Sequence, residues 1–325
     1  MIVSASRFGV GRTLGAAAAI VTIMITLACA AEELVNQATR AAMLKRPDGR
    51  IAHIESQYSD IFITKLGVEL VLSFRLRGHN TEQSSVNLRD ADDLPYRYSQ
   101  MMTVATAYAD EPKKLLMFGL GGGAVSTYLG RFMPDAAVEV VEIDPKVIEA
   151  AKIYFGLQET SRHRYITGDA RVFLTRSQEL YDLILVDAYL GDRVPFHLLT
   201  KEFYTLVKQR LARGGAAAFN VHDGTKLYAS TVKTLGEVFP TVDLYSTGQS
   251  EVIAVASARP APDGAELDAR AAALQKRYAF RFPLPTLVKV RMTNPKAQAT
   301  GGVLLTDDFA PVDVYNETGN RRRRN

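Results

Sequence analysis

Residues 114–144 read KLLMFGLGGGAVSTYLGRFMPDAAVEVVEID, and this stretch decides the fold. A short apolar run over 115–118 meets a turn holding Gly119, Gly121, Gly122 and Gly123. A helix-like stretch follows, and a second apolar run over 138–143 carries Glu142 and closes on Asp144. The pattern is strand, glycine turn, helix, strand. Glycine is needed where the backbone turns sharply and a ligand must approach with no Cβ in the way. A carboxylate about 20 residues beyond such a turn can accept hydrogen bonds from both ribose hydroxyls. The unit predicts a nucleoside site; the bland alternative is a glycine-rich loop with no ligand.

The glycine spacing narrows the nucleoside. Dinucleotide binders use G-x-G-x-x-G, whose third glycine packs helix against strand. Here the glycines are bunched, and no G-x-x-x-x-G-K-[ST] phosphate loop occurs anywhere in the chain. A bunched turn suits a ligand that lays a sulfonium tail over the loop, which points to adenosylmethionine or a relative. Two later segments add acids at the same edge of the expected sheet. A short strand over 164–167 ends at Gly168, Asp169 and Ala170, where a carboxylate could receive the adenine amino group. The apolar strand 181–187 ends on Asp187. Ligands of open α/β sheets bind outside the carboxyl ends of the strands, so both acids point to one crevice. Each could instead cap a helix, where Asp is also favoured.

At this point the sequence resembles a known family. The segments GLGGGA, VEIDPKVIEAAKIYF, GDARVFL, YDLILVDAY and LYSTGQSEVIAVAS are similar to those of the polyamine aminopropyltransferases (spermidine synthases), in the same order. The upstream EQSSVNLRDADDLPYRYSQMM resembles the segment before that family's glycine loop, and LTDDFAPVDVY resembles its tail. The resemblance implies a doubly wound, Rossmann-like α/β fold of the adenosylmethionine-dependent methyltransferase type, with a small N-terminal β domain. It implies decarboxylated adenosylmethionine or adenosylmethionine as co-substrate, an amine acceptor and a homodimer. Carried over residue by residue, Gln83, Gly119, Gly121, Gly122, Gly123, Glu142, Asp169 and Ala170 would hold the nucleoside. Asp187, Asp192 and Tyr98 would form the catalytic set.

The departures fall on the amine half of the site. Where the family holds the donor's amine with an aspartate after the glycine loop, this chain has Ala124. The catalytic D-S-S-D-P becomes Asp187, Ala188, Tyr189 and Leu190, so the second acid is lost, with Asp192 two residues further on as a substitute. Tyr-His-Glu becomes Tyr98, Ser99 and Gln100, and a Gln-x-Glu becomes Asn220, Val221 and His222. A buried cationic acceptor needs counter-charges. The losses weaken the expectation of a diamine acceptor and leave two alternatives open: a methyltransferase on the same nucleoside site, and a non-catalytic exported protein that binds nucleosides or polyamines.

Composition excludes other classes. The +4 net charge becomes −2 for residues 31–320 once Arg7, Arg12 and Arg321 to Arg324 are set aside, so no basic stripe invites nucleic acid. Arg7 and Arg12 precede an apolar run over 14–27 and the small-x-small site Ala28, Cys29, Ala30. That is the layout of a signal peptide, which predicts export to the periplasm or attachment to the membrane through the N-terminus; the cytoplasm is the location if the leader is misread. Cys29 is the single cysteine, so no internal disulfide is possible, and the five histidines show no metal-ligand spacing. The expected division is 1–30 leader, 31–94 N-terminal segment and β domain, 95–258 nucleoside-binding domain, and 259–325 helical extension and basic tail. Tyr98, Tyr189 and Tyr245 either line the acceptor pocket or, as is commoner for tyrosine, are core aromatics with the hydroxyl at the surface. His197 is either a substrate contact or a helix-start residue, and Asp307 either folds back to the cleft or caps a turn.

Overall fold

The structure, a computed structural model, describes residues 37–309 apart from 77, 78, 192, 226, 261 and 293. The leader with Cys29, the arginine run and Asp192 lie outside the described residues. A four-stranded antiparallel sheet comes first, in the order β1 (Gly49–Glu55), β2 (Asp60–Leu66), β3 (Glu69–Leu76) and β4 (His79–Asn87). β2 and β3 form a hairpin that turns at Gly67, with Leu66 opposite Glu69. Val68, although β-branched and continuous with the apolar run that follows, sits in the turn and not in the strand. A two-residue hairpin loop must take Gly67 and its successor, and the Val68 carbonyl accepts the Leu88 N–H at 2.7 Å.

The second sheet has seven strands: β5 (Lys114–Phe118), β6 (Ala137–Glu142), β7 (His163–Thr167), β8 (Tyr181–Val186), β9 (Leu211–His222), β10 (Thr241–Ser246) and β11 (Glu251–Ser257). Their spatial order is β10-β11-β9-β8-β5-β6-β7. The run from β9 to β7 is parallel, whereas β11 is inserted antiparallel between β9 and β10. Helices α1 (Arg97–Met102), α2 (Ala124–Phe132), α3 (Pro145–Tyr154), α4 (Ala170–Arg176), α5 (Lys201–Gln209), α6 (Leu227–Val238) and α7 (Gly264–Tyr278) complete the α/β fold. The chain leaves β5 towards β6 on one side, while β8 and β9 extend the sheet on the other. Strand order therefore reverses between β5 and β8, where α/β sheets open a ligand crevice.

Alternation within each strand explains why both faces are covered. Leu115 and Met117 of β5, with Leu183 and Leu185 of β8, pack on the face that carries α2, α3 and the four-stranded sheet. Leu116, Phe118, Ile184 and Val186 pack on the other, with Phe203 of α5 and Leu235 of α6. Side chains alternate faces along a strand, and a parallel sheet buried on both sides reads as an unbroken apolar run. Leu183 is fully buried in this arrangement. Leu183→Ala is expected to cost about 2–5 kcal/mol, as cavity-forming core truncations do. Urea denaturation checks this, and a cost under about 1 kcal/mol would place Leu183 outside the tightly packed core. Among the described residues no helix is long and apolar enough to cross a membrane.

Candidate functional site

A cavity of about 230 Å³ lies at the reversal point. Its floor is the carboxyl ends of β5, β6 and β8, and its roof is β4 with the start of α1. The glycine loop leaves β5 in a conformation only glycine takes easily. Gly119 has φ +88, and a Cβ there would stand 2.2 Å from the Asp187 carbonyl oxygen. Gly121, at φ +54, lies against Ser84 of β4. These two line the cavity. Gly122 and Gly123, expected beside the nucleoside, do not line it: they make room for Phe155 and Leu157 in the core beneath the loop.

Glu142 is buried and holds the loop itself. One carboxylate oxygen accepts the Leu120 N–H at 2.9 Å and the other the Asp144 N–H at 3.0 Å. Burial pushes its pKa up, and the two N–H groups pull against that. Asp144 then caps α3 through Lys146 N–H at 2.8 Å and accepts from Ser56 Oγ at 2.5 Å, joining the first sheet to the second.

Asp169 combines both readings left open by the sequence. One oxygen caps α4 through the Val172 N–H at 2.9 Å, and the carboxylate also lines the cavity beside Ala170. Its other oxygen meets Nε2 of His197 at 2.8 Å. Burial works against the charged form, but the Val172 N–H and His197 outweigh it and hold the pKa below the usual value. His197 sits in a short helical turn and bonds Asp169 without lining the cavity. Asp307 grips Arg171 in the first turn of α4 and Thr200 Oγ1 at 2.8 Å, so it braces that corner instead of reaching the cleft.

Asp187 stands just past β8, its N–H bonded to the Phe118 carbonyl at 2.9 Å. Its carboxylate accepts from Asn220 Nδ2 at 2.8 Å. Burial pushes its pKa up to about 6; Asn220 and Tyr98 moderate the rise and Glu251 adds to it. The Tyr98 hydroxyl donates to the Gln83 carbonyl at 2.9 Å, and burial keeps it firmly protonated. Gln83 in turn donates to the Gly191 carbonyl at 2.9 Å, which closes β4 onto the loop that follows β8. Tyr189 lines the cavity and donates to the Asn220 carbonyl at 3.1 Å. Tyr245 does not line it: a fully buried side chain, it bonds Tyr108 at 2.5 Å in the core, because β10 is the far edge strand.

The sequence reading missed Glu251, Glu82 and Tyr96, all of which line the cavity. Glu251 opens β11, and the antiparallel register sets it opposite His222 at the carboxyl end of β9. The available signal was an acid at the head of the apolar run EVIAVAS, but only the inserted strand brings it to this edge. Among the described residues no three His, Cys, Asp or Glu side chains group as a metal site.

Comparison with known proteins accords with this geometry. Residues 96–247 match the family model of the spermine/spermidine synthase domain. A polyamine aminopropyltransferase of Vibrio vulnificus is 30% identical over 271 residues, covering 80% of this chain and 89% of the relative. The crystal structure of a probable spermidine synthase from Corynebacterium glutamicum superposes with a TM-score of 0.65 at 18% identity, covering 82% of this chain and 99% of that one. A spermidine synthase solved with the transition-state analogue AdoDATO gives 0.60 at 18% identity, covering 77% and 88%. At that identity the two structures speak to the fold alone, a spermidine-synthase-like α/β architecture. With the glycine loop, Glu142, Asp169 and Asp187 gathered at one edge and a relative aligned over most of both lengths, the chain belongs to the spermine/spermidine synthase family of polyamine aminopropyltransferases.

Proposed function

We propose that this chain transfers an aminopropyl group from decarboxylated adenosylmethionine to an amine acceptor. Asp187 carries the reading: a carboxylate facing the cavity, at the strand reversal, with its pKa raised to about 6. Such a group is ionised at neutral pH and still basic enough to take a proton, as a general base requires. Glu142, Gln83, Asp169 and Ala170 supply the polar and close-approach surface for a nucleoside, with Gly119 and Gly121 beneath it. In the step, a neutral amine nitrogen attacks the methylene beside the sulfonium. The C–N bond forms as the C–S bond breaks; sulfur keeps the electron pair and departs as methylthioadenosine. The proton shed by nitrogen passes to Asp187.

Ala124 lines the cavity and offers the donor's amine no carboxylate, so the donor must be tested against its undecarboxylated parent. Calorimetric titration of the full chain with decarboxylated adenosylmethionine, adenosylmethionine and methylthioadenosine decides the point. Micromolar binding of the first and third is the expected result. A preference for adenosylmethionine would favour methyl transfer, and no binding of any of the three would overturn the enzyme reading.

A further inference from the structure

Asp169 is anchored at both of its oxygens, and the two anchors come from different parts of the chain. Oδ1 accepts the Val172 N–H at 2.9 Å, a helix cap supplied three residues away. Oδ2 meets Nε2 of His197 at 2.8 Å, across 28 residues of sequence. Burial opposes ionisation of this carboxyl, but the Val172 N–H and His197 keep its pKa below the ordinary value. The ionised group can only accept, so the imidazole must carry its proton on Nε2. His197 is therefore a donor with a fixed tautomer.

What the second anchor adds is orientation. The terminal torsion of an aspartate is broad, and a cap bond to one oxygen leaves the carboxylate free to turn about it. A donor on the other oxygen fixes the plane. The donor is itself held: Arg171 Nη1 donates to the His197 carbonyl at 3.3 Å, and Asp307 grips the Arg171 guanidinium. His197 does not line the cavity, whereas Asp169 does. An ionised carboxylate offers about four lone-pair positions. Its two bonds therefore leave acceptor capacity for a ligand at the cavity wall.

We infer that His197 is a positioning residue for base recognition: by holding Asp169 in one plane, it makes that carboxylate a selective acceptor for the exocyclic amino group of a purine. This rests on the aminopropyl-transfer reading above, and only on its nucleoside half. An amino purine satisfies Asp169 with an N–H. A 6-oxo purine brings an oxygen to the same place, where two acceptors face each other and neither is paired. A carboxylate free to turn escapes that clash by accepting from the neighbouring ring N–H instead. Discrimination between the two bases therefore needs the plane to be held, which is the work of the residue behind the acid.

The test measures binding of methylthioadenosine and of its 6-oxo counterpart methylthioinosine by calorimetry, on the full wild-type chain, His197→Ala and His197→Gln. The wild-type chain is expected to favour the amino form by about tenfold or more. His197→Ala should bring the two affinities within about threefold of each other, while His197→Gln, which keeps an N–H donor, should restore most of the preference. A double-mutant cycle separates positioning from packing: in an Asp169→Asn chain, adding His197→Ala should change the ratio by less than about twofold. If His197 only packs the corner, its loss weakens both nucleosides alike and leaves the ratio unchanged. That result, or equal binding of the two by the wild-type chain, would overturn the inference while the transferase reading stands. Binding of neither nucleoside by the wild-type chain would overturn both.

Discussion

Asp187→Asn is expected to lower turnover by about 10²–10⁴-fold and, above pH 6, to make the folded chain more stable. The first effect follows from the proposed mechanism, in which Asp187 is the general base. The second follows from the raised pKa. A carboxyl whose folded value is about 6, against an ordinary 3.8, binds more protons folded than unfolded between those limits. Stability therefore falls as pH rises from 3.8 to 6 and stays reduced above that. At one pKa unit per 1.36 kcal/mol, the ionised carboxylate costs the fold about 3 kcal/mol, an amount that cavity water reduces. Asparagine removes the charge while its Oδ1 can still accept from Asn220. Paired melts at pH 8 and pH 4 check this: the variant should gain at pH 8 and be level with the wild type at pH 4. A variant less stable at both would show that the ionised form is not penalised. On the proposed mechanism, kcat/KM should rise through about pH 6 as Asp187 ionises.

Gly119→Ala should damage binding and catalysis together. The added Cβ would meet the Asp187 carbonyl oxygen at 2.2 Å and its carbonyl carbon at 2.9 Å, so backbone must move. Overpacking of this kind costs about 1–3 kcal/mol, and the φ of +88 adds left-handed strain. Moving the Asp187 backbone disturbs both its carboxylate, the proposed base, and its N–H bond to the Phe118 carbonyl. Loss of methylthioadenosine affinity as well as turnover is the expected result, in contrast to Asp187→Asn, which leaves the loop intact. Gly248→Ala is the control: φ is +76 there and nothing lies within 4 Å of the added Cβ. If Gly119→Ala proved as mild as Gly248→Ala, the loop would yield without disturbing the site.

The half of the cavity proposed for the nucleoside was legible because it is local. Strand, glycine turn, helix and acid follow one another over some thirty residues, and the apolar runs end within one residue of the ends of β5, β6 and β8. Asp187 and Asp169 were placed by the rule that ligands sit at carboxyl ends of strands, and both line the cavity. What was illegible depends on pairing between distant segments. Glu251 reaches the cavity only because β11 inserts antiparallel beside β9, and nothing in a single strand's alternation reveals its neighbour. Of the two readings left open for Tyr245 the core one holds, and its own pattern could not decide between them because it does not show that β10 lies at the sheet's far edge. Gly122 and Gly123 looked like Gly119 and Gly121, since a glycine does not reveal whether a ligand or a phenylalanine fills the space it leaves.

The cavity draws its floor from one sheet and its roof from the other, the seam being closed by Gln83 to Gly191 and by Ser56 to Asp144. Any molecule that touches both walls binds only the docked arrangement, so its affinity adds to the cohesion of the two sheets. At a hundred times Kd that addition is about 2.7 kcal/mol. Local opening along β4 is thereby suppressed in the occupied chain, and a protease that nicks the empty protein near Gln83 becomes an assay for occupancy that requires no chemistry at all.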